Sequence, residues 1–214
     1  MPNYYLGVDI GSLTVKVVLI DDQQKIIGFK NSKAGYSGRA IALSLQDRLL
    51  ADSGLTQQDI QTTFATGYGR ITFPADRELS EITCQAKGIS HLFPNVRTVI
   101  DIGGQDSKVI KLFANGKVAD FTMNDKCAAG TGRFLEVMAS ALEVGWQEIG
   151  ELVSLSQNPT KISSFCTVFA ESEIISQVSA GEAKSDILAG GCDSVAVRVA
   201  SMTRRTGLEP DIAF

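Results

Sequence analysis

Short blocks of apolar residues separated by polar turns open the chain, which is the pattern of β-strands joined by tight connections. This pattern predicts strands at residues 5–8, 17–20 and 25–29 and, after a gap, at 62–66. Apolar residues at helical spacing predict two helices in the same part of the chain, at residues 40–50 and 74–88. The first part of the chain therefore combines a strand hairpin with helices.

The stretch around the first hairpin occurs a second time. Residues 99–110 repeat the Asp, Ile, Gly, Lys and Val of residues 7–18 at the same relative positions, so that Asp101 and Lys108 match Asp9 and Lys16. An Asn-Gly pair at residues 115–116 predicts a type I′ turn in the second hairpin. Two matching units predict two similar lobes, which we place at residues 1–95 and 96–214.

Each unit ends a buried strand on an acidic residue, followed at once by glycine and small hydroxyl or amide residues. Backbone N–H groups of such a turn can approach a phosphate while the carboxylate holds hydrated Mg²⁺. Two facing copies would bind the phosphates from both sides. A D-x-G sequence alone is common, and ordinary hairpins are the structural alternative, but the duplicated context favours phosphate binding. The chain contains no P-loop, and a hairpin rather than a dinucleotide-binding helix follows each glycine turn.

A cysteine, Cys127, stands just ahead of a Gly-Thr-Gly turn in the second half of the chain. A helix is predicted after the turn from the apolar residues Phe134, Val137, Met138, Ala141 and Leu142. The N-terminus of a helix offers unpaired N–H groups that stabilise a thiolate or an anion, whereas simple packing is the alternative role for such a cysteine. Cys166 repeats this arrangement before another predicted helix. A final helix is predicted at 186–204, and a strand begins within 209–214.

Composition excludes several classes of protein. The net charge of −4 argues against a nucleic-acid or anionic-membrane surface. Apolar stretches are far shorter than a membrane span and no signal peptide is evident, so we predict a cytoplasmic protein. The chain has a single histidine, His91, which argues against a catalytic site built on histidine residues. The four cysteines form no C-x-x-C pair, which argues against structural zinc.

Three arrangements of the cysteines remain open from the residues alone. Cys127 and Cys166 can supply half of an iron–sulfur site that a twofold dimer completes. They can instead form a redox-active disulfide. A cluster held by all four cysteines of one chain is the third arrangement, with Cys84 and Cys192 added; otherwise we expect these two to be packing residues.

Four motifs carry a resemblance to a known family: TGYGR at residues 66–70, DIGGQDSK at 101–108, NDKCAAGTGRF at 124–134 and CTVFAESE at 166–173. Together they resemble the activator component of 2-hydroxyacyl-CoA dehydratases, a family that includes the ATP-hydrolysing subunits of benzoyl-CoA reductase. The resemblance implies an α/β, actin/Hsp70-like ATPase fold with two lobes of duplicated ribonuclease H-like topology.

The resemblance also implies a homodimer that holds one [4Fe-4S] cluster at the subunit interface, with Cys127 and Cys166 at the ligand positions. In such proteins ATP binding and hydrolysis change the angle between the cluster-bearing helices. A low-potential electron from a donor such as ferredoxin or flavodoxin then passes to the partner dehydratase or acyl-CoA reductase. No nucleic acid or membrane takes part.

Roles for individual residues follow by position within these motifs. The first phosphate loop comprises Gly11, Ser12, Thr14 and Lys16, and the second comprises Gly103, Gly104, Gln105 and Asp106. Asp9 and Asp101 are expected near Mg²⁺ bound with ATP or ADP. Gln105 is expected to orient the attacking water.

The sequence departs from the family pattern in two places. Leu13 stands where a small hydroxyl residue is usual, and relatives continue past Phe214 into an adenosine-contacting turn and further helices. A C-terminally truncated chain without ATP turnover is therefore one alternative. A small-molecule kinase of the same fold with structural cysteines is another, although we identify no catalytic base for it.

Overall fold

The computed structural model of the chain describes residues 3–124, 127–162 and 167–214. They divide into two compact units, Met1–Lys87 (unit 1) and Gly88–Phe214 (unit 2). This boundary falls inside a helix, α2 (Glu81–Leu92). The sequence repeat places the division at residue 95, just ahead of the second hairpin.

Unit 1 is built on a five-stranded sheet with the order β3-β2-β1-β4-β5. The strands are β1 (Tyr4–Ile10), β2 (Thr14–Asp21), β3 (Ile26–Lys33), β4 (Ile60–Thr66) and β5 (Arg77–Glu78). The first three form an antiparallel meander, whereas β4 runs parallel to β1 and β5 runs parallel to β4. The crossover from β3 to β4 contains helix α1 (Gly38–Asp52).

The alternation of apolar residues explains how this sheet binds its helix. Leu6, Val8, Val17 and Leu19 point to one face and are almost completely buried. Helix α1 covers that face with its own buried apolar positions, Ala42, Leu45, Leu49 and Leu50. The inner strands of the first hairpin are therefore anchored by the core of unit 1.

Unit 2 repeats the strand plan of unit 1. Its sheet has the order β8-β7-β6-β9, with strands β6 (Thr98–Ile102), β7 (Ser107–Leu112), β8 (Val118–Asn124) and β9 (Ile212–Ala213). Strands β6, β7 and β8 form the antiparallel meander, and β9 pairs in parallel with β6 as β4 does with β1. The topology is thus duplicated, and the predicted strand in residues 209–214 is confirmed.

Four α-helices lie between β8 and β9 along the described chain. They are α3 (Gly132–Ala141), α4 (Ile149–Ser154), α5 (Thr167–Ser179) and α6 (Lys184–Thr206). Phe134, Met138 and Leu142 pack with buried residues of α6, including Val195 and Val199, in the second core. Phe134, Met138 and Leu142 are among the apolar positions that helical spacing predicts for α3. No helix within the described residues is both long and apolar enough to cross a bilayer.

The predicted type I′ turn at Asn115–Gly116 is wrong. That turn needs a positive φ at both central residues, but here only Gly116 has one, at +72°. The Phe113 carbonyl accepts a hydrogen bond from the N–H of Gly116, and the Phe113 N–H donates one to Lys117 O. The turn between β2 and β3 in unit 1 has the same bonding at Asp21, Gln24 and Lys25, with Gln24 at a φ of +63°. The duplication therefore extends to both turns.

The helix predicted at residues 74–88 begins later than expected. Residues before Ser80 pair with β4 instead: the N–H of Thr63 donates to Asp76 Oδ2 at 2.7 Å, and the N–H of Leu79 donates to Ala65 O at 2.9 Å. Ser80 then caps α2, because its hydroxyl accepts a bond from the N–H of Thr83. Pairing with a sheet edge has overridden local helical spacing here.

Candidate nucleotide-binding turns and cysteine loop

Both hairpins place an aspartate opposite a lysine where the inner strand ends. Asp9 pairs with Lys16 in the register of β1 and β2, and Asp101 pairs with Lys108 in that of β6 and β7. Lys16 Nζ lies 2.8 Å from Asp9 Oδ2, and Lys108 Nζ lies 3.4 Å from Asp101 Oδ2. The two carboxylates are similarly accessible, at 32% and 34% of the side-chain surface. The repeat seen in the sequence is thus a repeat in three dimensions.

Glycine stands at each turn, where a Cβ atom would press against the backbone. The N–H of Gly11 donates to Thr14 O at 3.0 Å, and the N–H of Gly103 donates to Asp106 O at 2.8 Å. A Cβ atom on Gly11 would lie 3.0 Å from the Thr14 carbonyl oxygen, and one on Gly103 only 2.8 Å from that of Asp106. At both turns, backbone without a side chain therefore lies beside a partly exposed carboxylate. Such a cradle suits phosphate and hydrated Mg²⁺, whose preferred ligands are oxygens.

The first turn exposes most of its polar groups. Ser12 and Thr14 are exposed, and Lys16 keeps 55% of its side-chain surface accessible. Leu13, the departure from the family pattern, is only partly exposed, and its carbonyl accepts a bond from the N–H of Ala34. The hydroxyl and ammonium groups predicted to contact phosphate are thus placed where a ligand could reach them.

The Gly67-Tyr68-Gly69-Arg70 segment supports the first turn, a role that the sequence did not reveal. The N–H of Gly69 donates to Ile10 O at 2.9 Å, and a Cβ on Gly67 would lie 2.6 Å from Asp9 Oδ1. Arg70 Nη1 donates to Gly67 O at 3.0 Å. The Arg70 side chain therefore closes its own turn, which packs against Asp9.

The second turn is more deeply embedded than the first. Gln105 is exposed, as its predicted role with water requires. The Asp106 side chain is only 9% accessible and lies 2.6 Å from Lys108 Nζ, and Lys108 itself is 3% accessible. Asp106, predicted to bind nucleotide, thus holds its carboxylate in a buried ion pair. Lys108 is absent from the predicted site residues, although its spacing from Asp101 equals that of Lys16 from Asp9.

Five hydrogen bonds join the β6–β8 meander to the loop of Cys127 and the start of α3. The backbone N–H groups of Gly132 and Arg133 donate to the carbonyls of Gly103 and Gly104, each at 2.8 Å. Ser107 Oγ donates to the Gly130 carbonyl at 2.6 Å, in a buried position. Asn124 Nδ2 donates to Cys127 O at 3.0 Å; it also donates to Ala129 O at 2.8 Å. The glycine turn and the cysteine loop are therefore one connected structure.

These bonds correct the first explanation for Cys127. We expected the N-terminus of α3 to offer unpaired N–H groups to a thiolate or anion. Instead the N–H groups of Gly132 and Arg133 are taken by the glycine turn, and that of Phe134 donates to Thr131 O at 3.1 Å. The helix start therefore binds the second hairpin.

The cysteines differ in their surroundings. Cys127 is half-buried, whereas Cys166 lies outside the described residues. Burial raises the pKa of Cys84 on α2; it also raises the pKa of Cys192 on α6. Cys192 lines an apolar cavity of about 450 Å³ together with Ile100 and Leu135. Both surroundings agree with the packing roles expected for Cys84 and Cys192.

Within residues 3–124, 127–162 and 167–214 no three His, Cys, Asp or Glu side chains are grouped to hold a metal ion. One chain's described cysteines thus do not form a complete site.

Comparison with known proteins agrees with this architecture. The family model of the BadF/BadG/BcrA/BcrD ATPase family matches residues 6–214. The activator of lactoyl-CoA dehydratase from Anaerotignum propionicum is 48% identical over 99% of this chain and 82% of its own length.

Two solved structures are similar throughout. Component A of (R)-2-hydroxyglutaryl-CoA dehydratase from Acidaminococcus fermentans has a TM-score of 0.92 and 46% identity, covering 98% of this chain and 81% of its own. The activator of 2-hydroxyisocaproyl-CoA dehydratase from Clostridium difficile was solved with bound ADPNP. It has a TM-score of 0.89 and 45% identity, covering 98% of this chain and 78% of its own. The fold is the actin/Hsp70-like ATPase fold. With its motifs, its duplicated hairpins and a family model matching almost its whole length, the chain belongs to the BadF/BadG/BcrA/BcrD ATPase family.

Proposed function

We propose that this chain hydrolyses ATP and uses the resulting conformational change to pass a low-potential electron to a 2-hydroxyacyl-CoA dehydratase or a related acyl-CoA reductase. The observation that carries the proposal is the direct hydrogen bonding of the Gly103-Gly104 turn to the start of α3 and to the Cys127 loop. A movement of the Gly103-Gly104 turn on phosphate binding would therefore be transmitted to the start of α3 through direct hydrogen bonds. A nucleotide shifts the balance between two conformations of the chain only if its contacts differ between them.

In this proposal the chain's residues have four tasks. Backbone N–H groups and side chains bind phosphate at Ser12, Thr14, Lys16, Gly104 and Gln105, while Gly11 and Gly103, whose N–H groups close the turns, leave room for the phosphate to approach. Asp9 and Asp101 hold Mg²⁺ through oxygen ligands. Gln105, exposed at the second turn, orients the water that attacks the γ-phosphate. These assignments rest on the accessible cradle at each turn and on the family's motifs.

The fourth task belongs to the cysteines. Cys127 and Cys166 of two chains would hold one [4Fe-4S] cluster, which would supply one-electron transfer at low potential. The hydrogen bonds from Asn124 fix the carbonyls of Cys127 and Ala129 and thereby limit the positions of the thiol. A homodimer follows from this ligand count, because an isologous axis brings the same two residues from each subunit. A ferredoxin or flavodoxin is the proposed electron donor.

Anaerobic purification tests the cluster. We expect about two irons and two sulfides per chain, half of a four-iron cluster. Cys127→Ala should lose the iron, whereas Cys192→Ala, which only enlarges an apolar cavity, should keep it. Iron-free wild-type protein after reconstitution without oxygen would contradict the proposal and favour the kinase alternative. Iron content unchanged in Cys127→Ala would contradict the ligand assignment.

ATP turnover tests the other half. The chain spans about four-fifths of the length of the relatives it matches. We expect Mg²⁺-dependent ATP hydrolysis that Gln105→Ala lowers about a hundredfold or more, the scale of a lost water-orienting group. Arg133→Ala is the control, because its exposed side chain pairs with Glu136 and only its backbone contacts the turn. A wild-type chain that binds ATP without hydrolysing it would support the alternative of a fragment without turnover.

A further inference from the structure

Lys108 is a buried lysine whose ammonium group lies between two carboxylates. Its Nζ is 2.6 Å from Asp106 Oδ1 and 3.4 Å from Asp101 Oδ2. Only 3% of its side-chain surface is accessible, so a solvent-borne ligand cannot contact it without displacing one of these partners. A buried charge persists where its charge is balanced and hydrogen-bonded, and here two acids balance it.

Its counterpart in the first hairpin has the opposite character. Lys16 holds the same register position opposite Asp9, but it is 55% accessible and Thr14 stands where the second hairpin has Asp106. The long side chain of Lys16 can therefore turn toward a phosphate, while that of Lys108 is held in place. Duplicated positions have thus acquired different tasks.

The charges around the two turns differ as well. Asp9 and Lys16 sum to zero, whereas Asp101, Asp106 and Lys108 sum to −1. Without the lysine, Asp101 and Asp106 would place two negative charges close together in a poorly solvated position. Such a pair would attract a divalent cation by itself or destabilise the hairpin.

We propose that Lys108 is a positioning residue for the metal-binding half of the nucleotide site. It holds the Asp101 and Asp106 carboxylates in one orientation and keeps their joint charge low, so that a divalent cation binds at Asp101 only together with nucleotide phosphates. Lys16, in contrast, contacts phosphate directly. The proposal rests on the ATP function proposed above. It agrees with the general behaviour of Mg²⁺, which binds through one or two carboxylates plus substrate phosphates.

The test compares ADP affinity measured by calorimetry in Mg²⁺ with that in EDTA. In Lys108→Met/Asp106→Asn, which removes the ion pair without leaving a lone buried charge, we expect the enhancement of affinity by Mg²⁺ to fall about tenfold, the scale of one charge-assisted contact. Affinity in EDTA should change by less than about twofold, because no phosphate contact is removed. In Lys16→Met, affinity should fall about tenfold under both conditions.

Two further variants complete the design. Lys111→Met is the matched control: Lys111 lies on the same strand and pairs with Glu209 at 2.6 Å, so ADP binding should be unchanged. The single variant Lys108→Met should bind Mn²⁺ without nucleotide, seen by electron paramagnetic resonance, at least about tenfold more tightly than wild type. Should Lys108→Met fail to fold, the double variant still provides the affinity test.

The outcomes separate this inference from the function on which it rests. Full Mg²⁺ enhancement in the double variant would overturn the positioning role alone. The same loss in EDTA for the Lys108 and Lys16 variants would also overturn it, because the two lysines would then share one task. A wild-type chain that binds no ADP under either condition would overturn the ATP proposal, and the role of Lys108 with it.

Discussion

Replacing Ser107 by alanine removes the side-chain link between the second hairpin and the Cys127 loop. The Ser107 hydroxyl is the donor to the Gly130 carbonyl at 2.6 Å, and Ser107 is only 1% exposed. Gly130 has a φ of +84° and its α-carbon faces Arg198, so the loop has little room to adjust. The substitution deletes one oxygen and demands no new space, so its effect reports on the hydrogen bond.

The magnitude follows from burial. A buried hydrogen bond contributes a net 0.5–1.5 kcal/mol, roughly, and a carbonyl left without its donor costs up to about 3 kcal/mol. We therefore expect Ser107→Ala to lower the free energy of unfolding of unit 2 by about 1–3 kcal/mol in urea titrations. Ser194→Ala is the matched control. Its hydroxyl also donates to a glycine carbonyl, that of Gly191 at 3.0 Å, but inside α6. The helix backbone supplies that carbonyl with another donor, so the loss should be about 0.5 kcal/mol or less.

The same variants test the coupling. We would measure alkylation of Cys127 in iron-free protein by mass spectrometry of its peptide, with and without ADP. Nucleotide should change the rate in wild type and in Ser194→Ala, and the change should shrink in Ser107→Ala because the loop is less firmly tied to the turn. Equal stability of the two variants together with an undiminished nucleotide effect would refute the reasoning.

Three smaller predictions follow from local geometry. Gln24 has a positive φ, which glycine adopts more easily, so Gln24→Gly should stabilise unit 1 by about 0.5–1 kcal/mol in urea unfolding. Gly116→Ala at the equivalent turn should destabilise unit 2. Effects of the opposite sign would contradict the turn assignment. The Ser156 hydroxyl and then backbone N–H groups hold the pKa of Asp186 below its usual range, so its stabilising effect is present above about pH 4 and lost as pH falls through the folded pKa. Asp186→Asn should therefore reduce the decline of the urea midpoint on acidification. An unchanged decline would show that Asp186 does not cause the loss of stability at low pH. Burial raises the pKa of Cys192, so its reaction with a thiol reagent near neutral pH should be slower in the folded chain than in urea, and equal rates would count against its packing role.

Local patterns were sufficient wherever sequence-adjacent residues make the structure. The spacing of Asp9 and Lys16, repeated at Asp101 and Lys108, predicts two equivalent hairpins, and the structure pairs each acid with its lysine across the strands. Helical spacing from Phe134 onward likewise predicts the buried face of α3. A strand register or a helical stripe is set by neighbours within a few residues, so a single sequence contains it.

Contacts between distant segments could not be read in the same way. Ser107 and Gly130 are 23 residues apart, and nothing in either stretch indicates that a serine hydroxyl joins them. Lys16 and Lys108 occupy equal positions in the repeat, yet Lys16 is exposed and pairs with one carboxylate, whereas Lys108 is buried and pairs with two. Burial depends on what the rest of the chain packs against a position, which spacing alone does not contain.

Reduction of a 2-hydroxyacyl-CoA dehydratase by the anaerobically purified, dithionite-reduced chain tests the central claim most directly. The electron delivered to the partner enzyme would be followed by absorbance in the presence of Mg²⁺ with ATP, with ADP, or without nucleotide. If nucleotide at the duplicated turns controls the cysteine loop, transfer should require ATP and be lost in Cys127→Ala. Transfer at the same rate with ADP or without nucleotide would contradict the account.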